Sequence, residues 1–473
     1  MALIVLAAAL LLPAGAFAAP APQGKAPQGK KKQARTPGTL VQLSGESGCL
    51  VDRSEHHKSC GSARALQGPA PFLGSRAVAL SPDGRNLYVA SSESDAIAVF
   101  VRNPKTGTLK QGKGVAGCIA AQGASGCAPA VGLDGPNSVA VSPDGRNVYA
   151  TSVDSQSLVV FQRNPKTGAL LQRFDGTGCI SGLPLPGCLT GRALVGPDVV
   201  IVSPNGANVY VGSFFGNEIA MFNRDASSGA LTQPTDSSGC IAETSAAGCA
   251  IGIALKSPEG LAISGDGASV YAATALSNAL VVLNRNTSTG ALSQATDGSG
   301  CIVEAPLAGC TTGVQLSGAN AVAVSPDDED VYVTSLFSNS VTSFTRSSSG
   351  ALTQKAGTAG CLVFLRAPGC SFGRAIKSPE GLAIAPEGTN VYATAFSTGA
   401  VDVLSREGSG AVAQVPLKGG CIGPRSAYDC SNGRALGGVS SAAVSPDGRY
   451  VYAAAFKSDA VSVFRRIVAP KHR

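Results

Sequence analysis

The chain has 473 residues and a formal net charge of +7. Seven basic residues, Lys25, Lys30, Lys31, Lys32, Arg35, Lys471 and Arg473, lie in two terminal tails without acids; subtracting them from 37 leaves 30 bases against 30 acids, so the body is neutral and carries no nucleic-acid footprint. The absence of tryptophan weakens a carbohydrate-stacking role, and the 3 histidines, His56, His57 and His472, assemble no Ser-His-Asp arrangement.

From the N-terminus, the apolar run Leu3 to Leu12 followed by Ala16-Phe17-Ala18 predicts a signal peptide over 1–18. It is short for a membrane span, and nothing after it predicts an anchor. Residues 19–37 repeat Ala-Pro-Gln-Gly-Lys and predict a flexible basic linker, either a spacer or a contact to an anionic envelope surface. Gly38-Thr39-Leu40-Val41-Gln42 then predicts an isolated outer strand.

The body over 38–466 repeats at 60 or 61 residues. Each unit places a turn of Ser-Pro-Asp-Gly type before a Val-Tyr strand; the tyrosines are Tyr88, Tyr149, Tyr210, Tyr271, Tyr332, Tyr392 and Tyr452. In the unit from Pro136, an apolar run leads to Pro143-Asp144-Gly145. Pro there fixes φ, Asp bonds its own backbone and Gly takes positive φ. Val148 to Thr151, Leu158 to Phe161 and Ala169 to Gln172 predict three further strands. Four strands per unit are a propeller blade, and seven units predict an all-β, seven-bladed β-propeller. The last unit stops at Phe464, so the strand near Leu40 is expected to supply its fourth strand and seal the ring. Residues 467–473 form a short basic tail.

Every unit carries one cysteine pair: Cys49 and Cys60, Cys118 and Cys127, Cys179 and Cys188, Cys240 and Cys249, Cys301 and Cys310, Cys361 and Cys370, Cys421 and Cys430. An even count at this spacing predicts disulfides and an oxidising, extracytoplasmic compartment. The spacing and the scarcity of histidine argue against zinc. Pairing within each loop is expected, and pairing between neighbouring loops stays open. Because the pairs fall in connections of about 25 residues leading to the next inner strand, they are expected to crown the channel mouth.

Five residues before each turn serine, or before its equivalent Ala385, lies the start of the innermost strand. These positions hold Arg76, Asn137, Asp198, Glu259, Asn320, Glu380 and Ser440. Oxygen ligands converging on an axis suit Ca²⁺ or Mg²⁺, with Asp198, Glu259 and Glu380 as carboxylate ligands. The same ring suits a polar small molecule, or is a solvated rim. Phe214, Phe215, Phe337, Phe396 and Phe456 follow the strand tyrosines and are expected to form an apolar wall beside it, or to pack between blades. An arginine after each third strand, from Arg102 to Arg466, is read as a structural bridge between neighbouring turns.

With Val331-Tyr332-Val333-Thr334-Ser335, the Ser-Pro-Asp-Gly turns and the Gly-Ala-Leu outer strands, residues 38–466 resemble the YVTN and lactonase-like seven-bladed propellers. The resemblance implies the fold, and lactone hydrolysis of the 6-phosphogluconolactonase kind. It also implies Arg-His at the start of an inner strand; Arg76 matches, but Ala77 follows it. Two functions are therefore expected. One is a secreted, monomeric scaffold binding a protein, an envelope polymer or a small molecule through its stapled loops. The other is a lactone hydrolase using a carboxylate or metal site at the channel mouth.

Overall fold

The computed structural model describes residues 36–468 apart from 56, 70–75, 245–247 and 425–426. The leader at 1–18, the linker except for residues 36 and 37, and residues 469–473 of the tail lie outside the described residues.

Seven sheets form seven blades. Blade 2 is representative. Its inner strand Pro136–Val141 pairs with Asn147–Ser152, which pairs with Ser157–Arg163, all antiparallel. The Ser142 turn ends the inner strand: Ser142 Oγ donates to Asp144 Oδ1 at 2.6 Å and accepts from the Asn147 amide at 2.9 Å. We call the face carrying these turns the lower face, and the face where the inner strands begin the upper face.

The blades differ from the four-strand expectation. The fourth position is split: Leu170–Gln172 pairs with one half of Ser157–Arg163 and Cys179–Ser181 with the other. A fifth, parallel strand, Leu189–Thr190, then adds outside Cys179–Ser181. Six short strands thus occupy five positions, which is where the long connection between blades goes.

Ring closure agrees with expectation and goes further. Leu40–Gln42 pairs antiparallel with Ala460–Arg466, in the register Leu40 to Arg466. Cys49–Asp52 and Gly61–Ala63 also join this sheet, so the N-terminal segment contributes three strands to blade 7. The two ends meet where the Gly38 amide donates to the Ile467 carbonyl at 2.7 Å.

The core lies between blades. Every strand tyrosine is fully buried, and its hydroxyl donates to a glycine carbonyl of another repeat, as in Tyr88 to Gly168 at 2.9 Å; across the ring seam Tyr392 reaches Gly38 and Tyr452 reaches Gly107, both at 2.8 Å. The arginine after each third strand completes the joint. Arg163 Nε donates to the Tyr88 hydroxyl at 3.0 Å, one terminal nitrogen to its own turn at the Gly145 carbonyl, and the other to Asp83 in the preceding blade's turn. Arg102–Asp447, Arg224–Asp144, Arg346–Asp266, Arg406–Asp327 and Arg466–Glu387 repeat the clasp. In the seventh, Arg285 meets Asn205 at 3.5 Å, since that turn holds an amide where the others hold an acid. The arginine ladder is structural, as its repetition implied.

All seven cysteine pairs are disulfides, and each closes within its own segment. Cys49 is bonded to Cys60, Cys118 to Cys127, Cys179 to Cys188 and Cys240 to Cys249. Cys301 is bonded to Cys310, Cys361 to Cys370 and Cys421 to Cys430. No described cysteine is free, so pairing between neighbouring loops does not occur. In blade 2 the bond joins the outer half of the split fourth position, at Cys179, to Cys188 beside the parallel fifth strand. Cys127, Cys249, Cys310, Cys370 and Cys430 hold the same place at the fifth strands of blades 1 and 3 to 6, and Cys60 does so in blade 7. The staples therefore sit on the outer edge of each blade. The expected crown around the channel mouth is corrected, because strand order puts the cysteine strands farthest from the inner strand.

Candidate functional site

Six of the seven ring positions share a backbone device. The inner strands shift register between Pro136 and Ser138, Pro197 and Val199, Pro258 and Gly260, Ala319 and Ala321, Pro379 and Gly381, and Val439 and Ser441. The extra residues are Asn137, Asp198, Glu259, Asn320, Glu380 and Ser440. A bulge re-aims one side chain without unpairing the strand. Here it turns six polar side chains inward, and all six are buried, so the ring is no solvated rim.

Their contacts run from blade to blade. Asn137 Nδ2 donates to Asp198 Oδ1. Asn320 Nδ2 donates to the Pro379 carbonyl at 3.1 Å, and Asn320 Oδ1 accepts from Thr334 Oγ1 at 2.8 Å. Among the described residues, Asp198 Oδ2 and both carboxyl oxygens of Glu380, which is 3% exposed, have no hydrogen-bond partner.

Burial opposes charge here more than any neighbour favours it. It raises the Asp198 carboxyl well above the usual range, with the Glu259 charge adding to it. Glu259 is pushed up to about 8 by burial. Glu380 is raised well above its ordinary value by burial and by Glu259, against an opposing pull from Lys457. Asp198 and Glu380 thus each sense the Glu259 carboxyl. Among the described residues, no three His, Cys, Asp or Glu side chains are arranged to share a metal ion.

Arg76, the seventh position, stands apart. Its carbonyl accepts from the Val139 amide at 3.1 Å, which ties it to blade 2. Its half-buried side chain lines the central channel, a cavity of about 520 Å³. Leu80, Val141, Val202, Ile263, Val324 and Ile384 line the same cavity from the inner strands.

The aromatic positions lie on hairpin tips of the upper face. Phe215 is 61% exposed and sits on Gly196, whose φ of +66° opens the inner strand of blade 3 and leaves no room for a Cβ. Phe214 meets Phe215 edge-on at 4.9 Å. Phe337, 66% exposed, covers Gly318 of blade 5 in the same way. Phe396 is buried against Gly438, with Lys457 Nζ 4.7 Å from its ring centre, and Phe456 is half-buried. Leu276 occupies the tip between Phe215 and Phe337 and is 63% exposed. It is aliphatic but holds the same position, five residues after the strand tyrosine. Three consecutive blades thus present apolar tips; exposed Lys256 and Lys377 lie two residues before the inner strands Pro258–Ile263 and Pro379–Ile384, and the Lys256 amide donates to Ser277 Oγ next to Leu276 at 3.0 Å. The tips of blades 1 and 2 hold Glu93 and Asp154 instead.

Among known proteins, the family model described as lactonase, seven-bladed β-propeller, matches residues 64–118, a stretch that contains Arg76. No curated protein matches the chain significantly. Among solved structures, a candidate 6-phosphogluconolactonase from Bacteroides uniformis aligns at TM-score 0.50 and 18% identity, over 78% of this chain and 88% of that one. Hydrazine synthase of Kuenenia stuttgartiensis aligns at 0.50 and 18%, over 88% and 100%, and a protein from Lactobacillus plantarum at 0.50 and 20%, over 72% and 84%. Identities this low carry the fold alone. The chain has the lactonase-like seven-bladed propeller fold, with one disulfide added to the outer edge of each blade.

Proposed function

We propose that this chain is an extracytoplasmic binding propeller that docks an apolar, anionic partner of the cell envelope on the upper face of blades 3 to 5. The observation that carries the reading is the row Phe215, Leu276 and Phe337, exposed on successive hairpin tips, with exposed Lys256 and Lys377 ahead of the inner strands on the same face. Exposed apolar side chains gathered in one sector, on loops held by a rigid scaffold, characterise interaction surfaces. Seven disulfides support an oxidising compartment, and no helix among the described residues is long and apolar enough to cross a membrane. The test is retention of purified protein on envelope preparations from the source cells. Changing Phe215, Leu276 and Phe337 together to Ser should lower retention about tenfold, the loss of roughly 1.4 kcal/mol, with the melting temperature held. Equal retention by both proteins would overturn it. Fractionation of a tagged chain, with the mature N-terminus sequenced, tests export and cleavage after Ala18.

A second reading is favoured by the lactonase match around Arg76. In it the protein is a lactone hydrolase, with Asp198, Glu259 and Glu380 acting at the ring with or without Ca²⁺ or Mg²⁺. A panel of lactones assayed with and without chelator tests it. Turnover lost in Glu259→Gln would favour hydrolysis over docking. Melts with each ion test the cation: a rise in wild type that Glu259→Gln and Glu380→Gln remove would support it.

A further inference from the structure

The channel differs from the ring above it in both shape and chemistry. The side chains that reach it from the inner strands are alanine, valine, leucine and isoleucine, and Pro82, Pro326 and Pro446 of the turns line its far end. Among the described residues lining it, Arg76 is the one charged side chain.

No described residue gives the Arg76 guanidinium a hydrogen bond or an ion pair. The arginines of the ladder each hold several partners, so the contrast is internal to the fold. The buried carboxyls nearby do not serve: burial raises Asp198, Glu259 and Glu380, Glu259 adds to the other two, and Arg76 contributes to none of them. Burial lowers the guanidinium to about 10, which leaves it cationic at neutral pH. A half-buried cation on an apolar wall without a counter-charge is partly desolvated at a cost, and an anion from outside would relieve that cost.

We propose that the channel binds a small amphiphilic anion, an unbranched aliphatic carboxylate, with its headgroup on the Arg76 guanidinium and its chain along Val141, Val202, Ile263 and Val324. Carboxylate oxygens match the planar donor fork of arginine. The cavity volume of about 520 Å³ lies within the range of small-ligand sites, about 300–1,000 Å³. The proposal is independent of docking on the upper face, because it uses none of the exposed tips.

The test is calorimetric titration of decanoate, below its micelle concentration, into purified protein. Wild type should bind one equivalent. Arg76→Met keeps the apolar stem and should weaken binding at least tenfold, whereas Arg76→Lys should restore part of it. Decylammonium, with the same chain and the opposite charge, should not compete. Val202→Trp narrows the channel without touching a charge and should block binding, and it places a fluorophore in a chain that has no other tryptophan. No heat with wild type up to millimolar decanoate would refute the site, as would equal binding by wild type, Arg76→Met and Val202→Trp.

Discussion

Glu259 should make this propeller lose stability as pH rises through the neutral range. Its carboxyl is buried and pushed from 4.5 to about 8. For an acid raised in the folded state, the stabilising contribution is complete below the unfolded value. It disappears as pH climbs through the folded value, because burying the ionised form is penalised. The window is therefore pH 4.5 to 8, and a rise of about 3.5 units at 1.36 kcal/mol each corresponds to roughly 5 kcal/mol. At about 2.1 cal/mol/K per residue over a folded body of roughly 430 residues, that is a change of about 5 °C in Tm. The assay is thermal unfolding of wild type and Glu259→Gln at several pH values from 5 to 8, in chelator. Gln keeps the volume and cannot ionise, so the variant should fall less with pH and should gain most over wild type at pH 8. The turn acids that hold the arginine clasps, such as Asp83 and Asp144, are shifted downward and act in the acid range, outside this window. Identical pH profiles for both proteins would refute the argument that Glu259 is buried in its neutral form.

Other outcomes follow from the same geometry. Thiol titration of the unfolded, unreduced protein should find no free cysteine, and Cys179→Ser with Cys188→Ser should cost about 2–3 kcal/mol in denaturant unfolding, the chain-entropy value for so short a loop. Arg163→Met breaks one clasp and should cost about 2–3 kcal/mol, below the usual figure for a buried pair because Asp83 keeps solvent contact. Asn205→Asp should instead complete the clasp at Arg285 and add about 0.5–1 kcal/mol, read as a higher denaturant midpoint. Deleting residues 1–48 removes Leu40–Gln42 from the edge of Ala460–Arg466 and should lower Tm and promote aggregation, followed by light scattering.

The parts legible in the sequence are those that repeat with strong chemistry. The Val-Tyr strands, the Ser-Pro-Asp-Gly turns, the cysteine pairs and the arginine ladder each recur at one register, and the closing strand at Leu40 copies the outer strands of the other blades. The fifth strand was invisible because Leu189–Thr190 is two residues long and exposed, too short for an alternating pattern to register. That single omission moved the disulfides, in expectation, from the blade edge to the channel mouth. Six of the ring positions are the extra residue of a bulge, and no side-chain pattern announces which residue of a strand will be the extra one. Leu276 is inconspicuous in sequence because its importance lies in standing between Phe215 and Phe337, not in its own identity.

The staples all fall inside single blades, and none crosses from one blade to the next. Each closes within 9 residues, or 11 in the N-terminal case, and Cys49–Cys60 holds two strands of the N-terminal segment to each other without tying either to Ala460–Arg466. Covalently, the molecule is a string of independently pinned units whose two ends are adjacent at Gly38 and Ile467. A circular permutant that joins those ends and opens the chain between any two blades would keep every disulfide intact. The seam is thus a movable feature of this architecture, and each unit carries its own cross-link wherever it is copied.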